Sequence, residues 1–97
     1  MVAYLISEYL EIADLAAMVE YRQQVVPTIE AYGGRYIARA GKTVPLEGDW
    51  GEPMRVTIIE FPSLDHAQQW YDSDVYRGLK ALRQGASRIR MLFIEGM

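Results

Sequence analysis

Two arginines, Arg22 and Arg83, fall where helical spacing surrounds them with apolar neighbours. At about 100° per residue, Arg22 lies among Met18, Val19, Val25, Val26 and Ile29, and Arg83 follows Tyr76 and Leu79. A guanidinium held on such a face needs an acceptor, because an uncompensated buried charge is costly. Glu60 and Glu8, each within a run that is otherwise mostly apolar, are the natural acceptors. Two readings of this set stand side by side. In one, the groups form ion pairs within the protein, or the long side chains run past the core to water. In the other they line a pocket between helices and sheet. There Arg22 and Arg83 bind a substrate carboxylate or enolate, Glu60 acts as base, and Trp70, Tyr76 and further tyrosines form the walls. Glu60 and Arg83 are then the candidates for catalysis, and Arg22, Arg83, Glu60, Trp70 and Tyr76 for binding.

Other chemistries find little material. The chain has no cysteine, which removes thiolate nucleophiles and cysteine-held zinc or iron–sulfur sites. His66 is the single histidine, so a histidine-based triad or a multi-histidine metal site cannot be assembled within one chain. Two residues after Leu64, it points about 200° around its helix from the apolar stripe, which places it in solvent. No metal, haem or other cofactor is expected. Gly33-Gly34 follows a helix rather than preceding one, the reverse of a phosphate-binding loop, and reads as a turn. Trp50, in the turn-rich Gly48-Asp49-Trp50-Gly51, is either a lid or a dimer contact.

The elements that must position these residues follow from periodicity. Residues 2–10 form a first strand, and Asp14 caps a helix that runs to about Ala31 and is bent at Pro27. Gly33-Gly34 ends that helix, and Arg35 to Ala40 alternates as a second strand closed by Gly41. Thr43 to Pro53 is the longest loop. Arg55 to Phe61, β-branched and aromatic, is a central strand stopped by Pro62. Ser63 and Ser73 cap two stretches of a second helix broken near Asp72-Ser73, Gly85 ends it, and Arg88 to Glu95 is the last strand. The order βαββαβ is an α+β, ferredoxin-like arrangement with a four-stranded antiparallel sheet, here as a single domain over residues 1–97.

The strands carry apolar residues on both faces. Val56 and Ile58 oppose Ile59 and Phe61, and Leu92 and Ile94 oppose Met91 and Phe93. Two helices cover one face only, and a homodimer about a two-fold axis is the economical cover for the other. The net charge of −3 argues against nucleic acid as a partner, and Arg55 to Phe61 lacks the aromatic pattern of RNA-recognition strands. No segment approaches the roughly 18 apolar residues of a membrane span, and the N-terminus has no basic leader, so a cytoplasmic location is expected.

Tyr32-Gly33-Gly34-Arg35-Tyr36, Leu46-Glu47-Gly48-Asp49-Trp50, Glu60-Phe61-Pro62-Ser63, Ala67 with Trp70-Tyr71 and Ser73, and the closing Glu95-Gly96 occur in one chain and in this order. Together they resemble the domain-of-unknown-function family 1330 of the dimeric α/β-barrel superfamily. The resemblance implies a ferredoxin-like fold in which two sheets join into a barrel. It implies no activity, since relatives by fold include cofactor-free oxygenases, isomerases, haem-handling enzymes and plain ligand binders. The chain departs from the family pattern at Ala17 and Met18, where members often carry a tyrosine. Two functions are carried forward. One is a dimer that binds a small acidic or aromatic metabolite, as a cofactor-free oxygenase or isomerase; the other is a non-catalytic module for a ligand or partner.

Overall fold

Asp14, Ser63 and Ser73 start the helices as their side chains dictate. Each accepts a hydrogen bond from the backbone amide three residues on: Ala17 at 3.1 Å, His66 at 3.1 Å and Tyr76 at 3.3 Å. In the computed structural model, which describes residues 1–50 and 55–97, the elements run β1 (Ala3–Ile12), α1 (Leu15–Ala31), β2 (Arg35–Arg39), β3 (Arg55–Phe61), α2 (Leu64–Tyr71), α3 (Asp74–Ala86) and β4 (Ser87–Glu95). Gly51 and Pro53, read above as part of the long loop, lie outside the described residues. The strands pair antiparallel in the order β2-β3-β1-β4, which is the ferredoxin-like sheet with β1 and β3 at its centre.

Helix α1 runs through Pro27 and stops at a glycine-based cap. The Gly34 amide donates to the Ile29 carbonyl and the Gly33 amide to the Glu30 carbonyl, both at 3.0 Å, with Gly33 at φ +77°. Gly34 is needed for a different reason. A Cβ there would lie 2.6 Å from Ile29 Cγ2 and 2.7 Å from the Phe61 ring, so the helix end can seat on β3 only without a side chain.

The end of α3 corrects the sequence reading. Gly85 does not terminate it; the helix continues to Ala86 and passes directly into β4. The Arg83 and Ala86 carbonyls are satisfied without a left-handed glycine. The Ser87 hydroxyl donates to the Arg83 carbonyl at 2.8 Å, and the Ala13 and Asp14 amides both donate to the Ala86 carbonyl.

The helices cover one face of the sheet, where Leu5, Ile59 and Phe61 meet Met18, Val25, Ile29, Ala67, Trp70 and Tyr76. The other face carries Ile6, Leu92 and Ile94, exposed, beside half-buried Val56 and Ile58. Both faces are therefore apolar, as the strand pattern requires.

Gly34→Ala should cost about 1–3 kcal/mol through forced repacking. Gly78→Ala and Gly85→Ala, inside α3 with open space around each, should instead stabilise by about 0.5–1 kcal/mol apiece. Urea unfolding midpoints compared across the three variants check both signs.

Candidate functional site

Between the helices and the covered face of the sheet lies a cavity of about 320 Å³. Its floor comes from alternate positions of the central strands. Ser7 faces Thr57 and Leu5 faces Ile59 in the β1–β3 register, with Tyr9 opposite Arg55 at the open end. Met91 and Ile89 of β4, paired with Ser7 and Tyr9, close one side. From α1 come Tyr21 and Arg22, from α2 Trp70 and from α3 Arg83.

Strand β2 supplies Tyr36 and Arg39 by a device that simple alternation conceals. Tyr36 pairs with Ile59, but Ala38 pairs with Ile58 and Arg39 with Thr57, so one extra residue, Ile37, is inserted. This bulge turns Arg39 onto the same face as Tyr36 and Thr57, into the cavity. The Arg39 guanidinium stacks 4.4 Å from the centre of the Tyr36 ring.

Four arginines, Arg22, Arg39, Arg55 and Arg83, thus border one cavity, and no aspartate or glutamate does among the described residues. Three of them are exposed at the rim, whereas Arg83 is 2% exposed at the inner wall. None is ion-paired with a described residue. What Arg83 does have is a phenol: its Nε donates to the Tyr76 hydroxyl at 3.3 Å, and that hydroxyl lies 2.8 Å from the hydroxyl of Tyr21. Tyr76 has no exposure at all and sits one layer behind the lining, its ring 4.1 Å from that of Trp70. Trp70 in turn donates to Thr28 at 3.1 Å, which locks α2 against α1.

Burial sets the titration of the phenols. It raises the Tyr21 pKa far above the usual tyrosine value, with the neighbouring Tyr76 adding to the effect. It also pushes Tyr36 up to about 12, against the pull of Arg39. Tyr9 is raised by burial as well, and Arg83 partly offsets that. All three stay protonated at neutral pH and offer O–H donors. Burial acts to lower the Arg83 pKa, but Tyr76 and Tyr21 outweigh it, and the guanidinium stays charged.

The sequence-derived residues divide accordingly. Arg22, Arg83 and Trp70 meet at the cavity with Tyr76 directly behind, although Arg22 is at the exposed rim and not buried on the apolar stripe. Glu60 is not with them. It pairs with Tyr4 in the register, on the opposite face of the sheet, and is held by Arg35 at 3.1 Å. Glu8 is on that face too, its Oε1 bound by Arg90 Nη2 at 2.7 Å. The physical reason is the strand period of two: both glutamates have the parity of Tyr4 and Ile6. Tyr9, Tyr21 and Tyr36 stand where the sequence expects further tyrosines without naming them, whereas Arg39 and Arg55 are additions of the structure. The parity of Phe61 would have located Arg55, whereas Arg39 depends on the bulge.

His66 is exposed in the first turn of α2, its Nδ1 2.6 Å from the Ser63 hydroxyl. Trp50 is on the outer face of the sheet, beside Glu8, Val56 and Leu92, and does not cover the cavity. Its indole donates to the Glu47 carbonyl at 2.8 Å. Among the described residues, no three His, Asp or Glu side chains are grouped to hold a metal ion, and no helix is long and apolar enough to cross a membrane.

Solved structures share this fold. A protein of unknown function from Rhodopseudomonas palustris, RPA0582, is 20% identical over 99% of this chain and 82% of its own, with a TM-score of 0.80. SnoaB, a cofactor-independent oxygenase from Streptomyces nogalater, is 9% identical over 99% and 93%, with a TM-score of 0.70. An uncharacterized NIPSNAP domain protein from Burkholderia xenovorans is 10% identical over 100% and 95%, with a TM-score of 0.62. At these identities the likeness speaks for the fold alone. A comparison with curated proteins finds no match. The family model of the domain of unknown function DUF1330 covers residues 2–97, and the chain belongs to that family.

Proposed function

We propose that this protein binds a small organic anion with an aromatic or enolic body in the cavity between helices and sheet, and does so as a homodimer. The observation that carries the reading is the set of four arginines around a cavity whose described lining holds no carboxylate. Folding alone gains nothing from such a concentration, because each unneutralised guanidinium repels the others. An anion entering the cavity removes that repulsion. Trp70, Ile59 and Leu5 supply apolar wall for its body.

The same lining favours binding over base catalysis. Glu60, the expected base, is across the sheet, and neither a carboxylate nor a histidine is among the described lining residues. A reaction here would have to start from a substrate already ionised, as an enolate or phenolate. Addition of oxygen to such an anion is the chemistry that likeness to the cofactor-independent oxygenase SnoaB brings forward.

The dimer is supported by the uncovered face of the sheet. Ile6, Leu92 and Ile94 are exposed there beside Trp50, while Glu8, with a side chain only 9% exposed, has an Oε2 that lacks a hydrogen-bond partner among the described residues. A donor brought by a second copy of the chain is one way to satisfy a buried oxygen of that kind.

Two outcomes are expected. Native mass spectrometry after incubation with a mixed library of aromatic carboxylic acids and phenols should show an anionic member retained by the wild type and lost from Arg83→Met. That substitution should leave stability unchanged or raise it, by up to roughly 1–4 kcal/mol, because it removes a buried charge that has no counter-ion among the described residues while Tyr76 keeps Tyr21. Retention undiminished in Arg83→Met, or no retention by the wild type, defeats the reading.

Sedimentation at micromolar concentration should give a dimer. Leu92→Asp, on the exposed face, should give a folded monomer, and Phe93→Asp should unfold the chain, since Phe93 packs edge-on against Phe61 and Tyr71. A wild-type monomer at that concentration refutes the pairing.

A further inference from the structure

The hydrogen-bond direction in the Arg83–Tyr76–Tyr21 chain is fixed by which groups can donate. An arginine has donors only, so at the 3.3 Å contact Arg83 gives a proton and the Tyr76 oxygen accepts it. Tyr76 is fully buried, and its hydroxyl has Arg83 and Tyr21 as its only partners among the described residues. Its own proton can therefore go only to the Tyr21 oxygen, 2.8 Å away. Tyr21 then accepts from Tyr76 and is left with an O–H of its own. Tyr21 lines the cavity, and that proton has no acceptor among the described residues.

From this order we infer that Tyr21 is the cavity's oxyanion donor: its O–H, polarised through Tyr76 by the buried Arg83, binds the anionic oxygen of a phenolate or enolate ligand. The inference rests on the anion-binding reading above and adds to it the ligand atom and the group that holds it. Several features make the chain suited to this role. Each link polarises the next, so a terminal phenol backed by a cation is a stronger donor than a lone tyrosine. Burial keeps Tyr21 protonated, so at neutral pH it donates and does not compete as an anion. Arg83 lines the cavity as well, so an oxyanion held by Tyr21 lies in the field of the same guanidinium that polarises the chain. The ring of such a ligand would extend toward Trp70 and Ile59. Tyr76 is then a positioning residue, acting on the ligand only through Tyr21.

4-Nitrophenol is a suitable probe, because its phenolate and phenol forms have separate absorption bands and its ionisation can be read while bound. The wild type should bind the phenolate in preference to the phenol, so that the pKa of the probe falls on binding. Tyr21→Phe, which keeps the ring and loses one oxygen, should weaken phenolate binding roughly tenfold or more and abolish most of that pKa shift, with neutral phenol affinity little changed. Tyr76→Phe should also reduce the pKa shift although Tyr21 is intact, an effect that a packing role for Tyr76 would not produce; circular dichroism melts confirm that both variants are folded. If Tyr21→Phe binds phenolate with unchanged affinity and pKa shift, the donor assignment is overturned and the anion-binding reading survives through the arginines. If the wild type does not favour phenolate over phenol, the cavity reading fails and the donor assignment falls with it.

Discussion

Tyr76 is the point on which the arrangement of the helices depends. Its ring lies against Trp70 of α2 and edge-on to Tyr21 of α1, and its hydroxyl joins Tyr21 to Arg83 of its own helix. A residue that bridges three helices must be delivered at a fixed height and angle. The break between α2 and α3 does this: Ser73 both closes the first helix, donating to the Trp70 carbonyl at 2.7 Å, and caps the second through the Tyr76 amide. A continuous helix from Leu64 to Ala86 would place Trp70 and Tyr76 some 600° apart in rotation, about 120° away from a common face. The break lets both rings enter the same core.

The sheet keeps carboxylates away from the cavity. On the covered face the described cavity lining is cationic; on the outer face Glu8 and Glu60 are each held by an arginine, Arg90 and Arg35. In a chain of net charge −3, a local positive site is possible only if the abundant carboxylates are kept away from it. Strand alternation accomplishes this at no added cost, since one step along β1 or β3 moves a side chain through the sheet. The glutamates contribute to the cavity by being on the other side.

That same alternation marks the boundary of what the sequence reveals. Element order, the caps at Asp14, Ser63 and Ser73, and the two apolar faces could be read from residue types because each is local: a hydroxyl or carboxylate meets an amide three residues away, or a side chain repeats every second position. The partners of Arg83 could not. Assigning Glu60 to it required knowing the parity of β3 relative to the helices, and Phe61 and Ile59, which enter the core, place Glu60 outward. Arg39 was hidden more deeply, because the bulge at Ile37 leaves no trace in composition and reverses the parity within five residues of strand. Gly85 misled for the opposite reason: the terminal carbonyls of α3 are met by Ser87, Ala13 and Asp14, two of which come from the far end of the sequence.

The choice of phenols over carboxylates around Arg83 decides what the cavity can do. A buried guanidinium must have its donors met or its charge offset, and a glutamate does both at once. Meeting it with glutamate would also cancel the field that draws an anion, and the pocket would become an internal ion pair. A phenol oxygen accepts the hydrogen bond without bringing the negative charge of a carboxylate, so Tyr76 satisfies part of Arg83 while leaving its positive charge in place. The charge therefore has no counter-ion among the described residues. Such a group lowers stability unless something anionic completes it, and its retention at 2% exposure is intelligible if the completing anion arrives from solution. Under the proposed anion-binding reading, the three rim arginines would add attraction at the mouth, where they stay hydrated, and the single buried one would act where low polarity makes its field strongest.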